Sequence, residues 1–302
     1  MLRKSRTFVV IFFILSVAIF AIFRLTRAVS TDRTMPVIEM DSDSITVSVK
    51  GGDEAILEGV RATDGKDGDI TQDVFIESRT KFLDKGRFEV TIAVADGDNH
   101  VAKATREVIY SDYISPQFSL SGPLKFQTSR ESEDDLNIAR GLSANDVVDG
   151  KISNRIKISS DYSINPTVPG DYHMQFLVTN SMGDTVKLPV TITIYSTSQE
   201  NGLPQLLLTD YLINTPVGKT IDLISLIDQI NFLNSTFRRG EDGNFYNGDF
   251  NSEGNPVMFT SDSIRIDSDI DWNVPGVYEV KFTFIDANSE LSNYARCYIV
   301  VF

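Results

Sequence analysis

Three stretches of this 302-residue chain repeat one pattern, and few folds accommodate it. Lys85-Gly86-Arg87-Phe88, Pro169-Gly170-Asp171-Tyr172 and Pro275-Gly276-Val277-Tyr278 each place an aromatic residue two positions after a glycine. Each then runs into alternating apolar and polar residues, through Val90, Ile92 and Val94, through Met174, Phe176 and Val178, or through Val280, Phe282 and Phe284. A period of two sends one row of side chains into a core and the other into solvent, as antiparallel strands of a sandwich require. A turn and a second extended segment follow each time, over residues 101–110, 186–195 and 294–302.

Pro36, Pro116 and Pro204 open further apolar runs, at intervals matching the size of an immunoglobulin-like domain. The expected fold is therefore all-β, with tandem Ig-like β-sandwiches at 36–112, 113–199 and 200–302. The last carries an insertion over about 231–263 that reads as loop or hairpin from its Gly, Asn and Asp content. Ahead of it, Ile221, Leu223, Ile224, Leu226, Ile227 and Ile230 are spaced for a short amphipathic helix, with a buried strand as the alternative. Tyr172 and Tyr278 can hydrogen-bond back to upstream backbone at the corner of such a sandwich; Phe88 cannot.

Thr7 to Phe23 is an uncharged apolar run about long enough to cross a bilayer as a helix. Ala28-Val29-Ser30 faintly matches a signal-peptidase site but lies behind Arg24 and Arg27, which disfavours cleavage. The expectation is a cytoplasmic tail at 1–6, a transmembrane signal-anchor helix at 7–23 and a linker at 24–35. Arg3, Lys4 and Arg6 nearly balance Arg24 and Arg27, so charge does not orient the span. Size does: everything foldable follows it, which places a single-pass protein in the cell membrane with its C-terminal ectodomain outside.

Lys and Arg total 28 against 42 Asp and Glu, and five of the cations flank the first apolar run. Such an acidic ectodomain repels phosphate backbones, so no nucleic-acid partner is expected. Cys297 is the only cysteine, which excludes an intramolecular disulfide and reads as a buried thiol. His100 and His173 are the only histidines, read as surface residues of a turn and a strand, and neither stands in a nucleophile motif. The chain is expected not to be an enzyme.

The densest acidic stretch is Ala62-Thr63-Asp64-Gly65-Lys66-Asp67-Gly68-Asp69-Ile70-Thr71. Together with Pro169-Gly170-x-Tyr172, Pro275-Gly276-x-Tyr278 and Asp96-Gly97-Asp98-Asn99 with Arg106, it resembles the bacterial surface Ig-like domains, a family that includes modules of some pesticidal crystal proteins. That resemblance covers nearly everything from Pro36 onward, and implies extracellular β-sandwiches serving as spacer or adhesion modules, without catalysis. It weakens along the chain. The second copy has Ala144-Asn145-Asp146-Val147-Val148-Asp149-Gly150-Lys151-Ile152-Ser153, read as lacking counterparts of Asp67 and Asp69, and the third has no such segment.

Asp-Gly pairs first of all make turns. Asp64, Asp67, Asp69, Asp96 and Asp98 could also share a Ca2+ ion in the first sandwich if their two turns meet, although their spacing fits no EF-hand. In the insertion, Phe245, Tyr246 and Phe250 alternate with short polar residues and are candidates for contact with a glycan or protein. Asn234-Ser235-Thr236 matches a glycosylation acceptor. The function expected is a bacterial adhesion, spacer or assembly module, with membrane contact through 7–23 and a protein or glycan partner at the cell surface. The alternative is a cell-wall or polysaccharide-binding accessory factor using the insertion.

Overall fold

The computed structural model describes residues 2–30, 34–128, 137–159, 161, 163–196, 202–285 and 292–302. They divide into two compact units, Met1–Tyr113 and Ile114–Phe302.

The first unit begins with helix α1 (Leu2–Ser30), which extends the apolar run at both ends. Residues 24–30 of the expected linker are therefore helical, and 31–33 lie outside the described residues. Phe8–Thr26 has a mean hydropathy of 2.8 and none of it is buried. The Ser16 hydroxyl donates to the Phe12 carbonyl at 2.9 Å and the Thr26 hydroxyl to that of Phe23 at 3.0 Å. Polar side chains satisfied within the helix suit a medium that offers no hydrogen bonds.

Seven strands follow: β1 (Val37–Met40), β2 (Ser44–Val47), β3 (Val60–Asp64), β4 (Gly68–Asp69), β5 (Phe75–Arg79), β6 (Arg87–Ala95) and β7 (Val101–Tyr110). They form two sheets of order β1-β3-β4 and β2-β7-β6-β5. Arg106, buried in β7, donates to the Ile56 and Glu58 carbonyls at 2.9 and 2.6 Å, pinning the connection between β2 and β3.

The second unit opens with β8 (Gln117–Leu120), β9 (Lys125–Gln127), β10 (Leu142–Asp146), β11 (Gly150–Lys151), β12 (Lys157–Ile158), β13 (Gly170–Thr179) and β14 (Thr185–Tyr195). Its sheets are β11-β10-β8 and β12-β13-β14-β9. It closes with β15 (Gln205–Leu208), β16 (Leu212–Thr215), β17 (Ile227–Phe232), β18 (Ser235–Arg239), β19 (Phe245–Phe250), β20 (Pro256–Phe259), β21 (Ile264–Ser268), β22 (Gly276–Ile285) and β23 (Ser292–Val301). These form sheets of order β15-β17-β18-β19-β20 and β16-β23-β22-β21.

The three four-stranded sheets share one plan. A long antiparallel hairpin sits at the centre, and a short edge strand pairs parallel with its second arm, as β2 with β7, β9 with β14 and β16 with β23. The period-two rows point inward as expected: Phe88, Ile92, Phe176, Val280, Phe282 and Phe284 are buried. Burying each such side chain contributes on the order of 2 kcal/mol, and a one-residue slip would expose the whole row. The corner tyrosines donate as expected, Tyr172 to the Val168 carbonyl at 2.9 Å and Tyr278 to that of Val274 at 3.0 Å.

Two elements decide between expected alternatives. The Ile221–Ile230 stretch forms a 3-10 turn at Leu223–Leu226 and then β17, because a strand of branched residues gains a hydrogen-bonded neighbour on each side, β15 and β18. The insertion is largely strand as well. It supplies β18, β19 and β20, widening its sheet to five strands.

The row expected to face solvent is also buried where the two sandwiches of the second unit meet. Tyr294, Arg296 and Tyr298 project from one face of β23 toward Thr191 and Thr193 of β14. The Tyr298 hydroxyl accepts from the Thr191 N–H at 2.8 Å and donates to the Thr191 carbonyl at 2.9 Å. Arg296 bonds Asp171, reaches the Glu279 carboxylate at 2.8 Å, and lies over the Tyr294 ring at 4.6 Å. Burial would depress the Arg296 guanidinium, but Asp171 and Glu279 raise it above its ordinary value.

Replacing Tyr298 by Phe leaves both Thr191 backbone groups unpaired at a buried junction. The second unit should lose about 1–3 kcal/mol, read as a lower urea midpoint with an unchanged m-value.

Candidate functional site

The five acidic candidates do gather at one end of the first unit, and each accepts at least one hydrogen bond from an N–H donor there. Asp64, 7% exposed, accepts from the backbone of Lys66 at 2.8 Å and of Asp67 at 3.0 Å through one oxygen. Its other oxygen accepts from the Thr34 hydroxyl at 3.2 Å. Gly68, at φ 76°, then turns the chain back into β4. The two turns meet as the spacing allowed: Asp67 reaches across and accepts from the Gly97 N–H at 2.7 Å.

Asp96 accepts from the N–H groups of Asp98 at 2.9 Å and His100 at 2.7 Å, with the His100 ring at 2.7 Å from its second oxygen. Asp69 accepts from the Thr71 N–H at 2.9 Å, and Asp98 pairs with Lys66 at 2.5 Å. Among the described residues no three Asp, Glu, His or Cys side chains are grouped to hold an ion. In this structure the carboxylates cap turns and one of them pairs with a lysine. His100 is no bare surface residue either, since it closes the Asp96 turn.

The second unit repeats the core of this arrangement. Asp146 accepts from the N–H groups of Val148 and Asp149, both at 2.9 Å, and from the Asn180 amide at 3.1 Å. Asp149 accepts from the Ser181 N–H at 2.6 Å, just as Asp67 does from Gly97. The reading that the second copy lacks an Asp67 counterpart is therefore corrected: Asp149 fills that role, and only Asp69 is replaced, by Lys151. Thr71 and Ser153 match too, each hydroxyl accepting from a strand N–H, of Ala62 at 3.0 Å and of Ala144 at 3.1 Å.

The aromatic candidates of the insertion separate. Phe245 is fully buried in the core, because β19 alternates and its odd-numbered start faces inward, so it is not available to a ligand. Tyr246 is half-buried, with its hydroxyl donated to Asp242. Phe250 stands 69% exposed. Sequence reasoning missed a cleft of about 180 Å³ at the junction of the two sandwiches of the second unit, lined by Lys125, Thr191, Gln205, Tyr294 and Arg296 among others. Its only signal was an alternation of large amphipathic residues, Tyr294, Arg296 and Tyr298, on a face assigned to solvent.

Burial would raise the carboxyls of Asp96 and Asp149, but hydrogen bonds from His100 and Ser181 hold both below their ordinary value. A carboxyl lowered in the folded state contributes stability above the unfolded value and loses it as pH falls through the folded one. Both units should therefore keep full stability above about pH 5 and lose it progressively below about pH 4. Near neutrality, neither adding Ca2+ nor chelating it should move the melting temperature of the full chain, since a bound ion would raise it.

No family model matches the chain. Over 164 residues it is 26% identical to the pesticidal crystal protein Cry22Aa of Bacillus thuringiensis, a match covering 53% of this chain and 22% of that protein. Solved structures with local similarity include a Clostridium perfringens ZmpB chain with CBM51-2 in complex with GlcNAc and INT domains, at 19% identity, covering 51% of this chain and 26% of that one, with a TM-score of 0.21. The lipoprotein BT2262 of Bacteroides thetaiotaomicron matches at 13% identity over 60% of this chain and 98% of its own, with a TM-score of 0.23. The protocadherin GammaB4 extracellular domain matches at 12% over 90% and 50%, with a TM-score of 0.19. Scores this low fix neither a family nor an activity.

Proposed function

We propose that the chain is a membrane-anchored, non-catalytic cell-surface protein of bacteria, with three tandem Ig-like sandwiches, at 36–112, 113–199 and 200–302, displayed outside for adhesion, spacing or assembly. The observation that carries this reading is α1, whose Phe8–Thr26 stretch is apolar and wholly unburied, ahead of sandwiches with buried apolar cores of their own. A helix of that length and composition left in water would expose a large apolar surface. The partial identity with a pesticidal crystal protein supports the Ig-like reading.

The non-catalytic reading is supported by how the titratable groups are used. His100 caps a turn with Asp96, and His173 lies beside the Thr191 hydroxyl at 3.3 Å. The Cys297 thiol, buried and pushed up to about 12, is no nucleophile at neutral pH. The polysaccharide reading drew on Phe245, Tyr246 and Phe250 of the insertion. With Phe245 in the core and the Tyr246 hydroxyl tied to Asp242, one exposed ring remains, so a protein partner is favoured.

In cell fractionation the intact chain should sediment with membranes, resist extraction by high salt and carbonate, and dissolve in detergent. External protease on whole cells should remove the sandwiches. Intact protein in the cytosol, or a shortened form free in the medium, would contradict the anchor.

A further inference from the structure

Sheet edges expose unpaired backbone N–H and C=O groups, and folded proteins blunt them with brevity, charge, irregularity or a cover. Most edges of this chain follow that rule. β4, β11 and β12 are two residues long. β1, β9 and β21 carry Glu39, Lys125 and Arg265, and β5 carries Glu77 and Arg79. The outward residues of β2 are Ser44 and Thr46, β15 is buried or half-buried throughout, and β16 lies against β8, where Asn214 donates to the Phe118 carbonyl at 2.9 Å.

β20 stands apart. Pro256-Val257-Met258-Phe259 carries no charge, pairs with β19 on one side through a register that shifts between Tyr246 and Phe250, and among the described residues has no strand on the other. It is held rigidly in place, because the Phe259 ring packs on Phe237 at 4.5 Å and on Phe284 at 4.8 Å. Met258 points outward and is 41% exposed, with Phe250 of the same hairpin more exposed still. Such an edge is prearranged to accept one further strand, with alternate side chains fixing its register.

The charges around it select the occupant. Asp249 and Glu253 stand at the hairpin end and Asp262 just beyond the other end of β20, all three exposed. A second copy pairing antiparallel must keep inward residues opposite inward ones, which sets Met258 against Met258 and brings the acidic hairpin of each copy toward Asp262 of the other. Like charges at both ends oppose that dimer. We infer that β20 is a docking edge for an extended segment of another protein, apolar at its centre and flanked by Lys or Arg. This rests on the reading of the chain as a binding module and not on its anchor, so fractionation and the following test can fail independently.

The probe is a synthetic peptide of alternating valine and threonine with two lysines at each end, titrated into the full chain in non-ionic detergent. Its partner has glutamates in place of the lysines. The lysine peptide should slow amide exchange at residues 256–260, bind more weakly as salt rises, and outcompete the glutamate peptide. Met258→Lys places a like charge on the edge and should weaken binding on the order of tenfold. Val257→Pro should abolish binding by interrupting the edge, and Met258→Lys guards against simple unfolding because its side chain faces outward. No protection, equal protection by both peptides, indifference to Met258→Lys, or protection that appears with protein concentration alone, the mark of a second copy, would each overturn the proposal.

Discussion

The Arg296 guanidinium is the point at which two sandwiches become one body. It lies on β23, bonds Asp171 of β13 in the neighbouring sandwich, and holds Glu279 of its own, while Glu279 accepts from the Thr191 hydroxyl at 2.6 Å. A partly buried charge loses hydration and is offset by its partners, so this cluster favours the docking geometry that keeps Asp171 and Glu279 in reach. Tyr298 adds the neutral part, reading the N–H and carbonyl of Thr191 together. The third sandwich is thus carried by the second as a fixed extension, and its five-stranded sheet is presented at a set position within the unit.

Within the first two sandwiches the equivalent device is a buried carboxylate rather than a disulfide, which a chain with one cysteine cannot make. Asp64 and Asp146 each gather two backbone N–H groups, and Asp67 and Asp149 then bond the turn of the central hairpin. This staples two loops at one end of the sandwich through charge-assisted hydrogen bonds. The third sandwich does without it. Where the acidic turn would stand, β17 runs into β18 through Leu233 and Asn234, both at positive φ, and the sheet grows outward instead.

Much of this was legible in the residues because a period of two and a glycine turn have one cheap backbone solution. The central hairpins, their inward rows and the corner tyrosines all follow from that. Helix α1 was equally plain, since a long uncharged apolar run is helical wherever backbone groups must be satisfied internally. Alternation does not say what covers the outer row, and so the Tyr294, Arg296 and Tyr298 face read as solvent. Nor does it fix phase in a turn-rich insertion, where Phe245 and Tyr246 are equivalent on paper but fall on opposite faces of β19. For the acidic cluster, composition shows the carboxylates but not the N–H groups that the turns aim at them.

The central claim is that the two sandwiches of the second unit unfold as one because Arg296 and Tyr298 join them. Trp272, the only tryptophan, lies in the third sandwich and reports its unfolding by fluorescence, while amide exchange of β13 and β14 reports the second. In urea the two signals should coincide in the native chain and separate in Arg296→Ala. Two distinct transitions in the unaltered chain, or coincident ones after that substitution, would contradict the account.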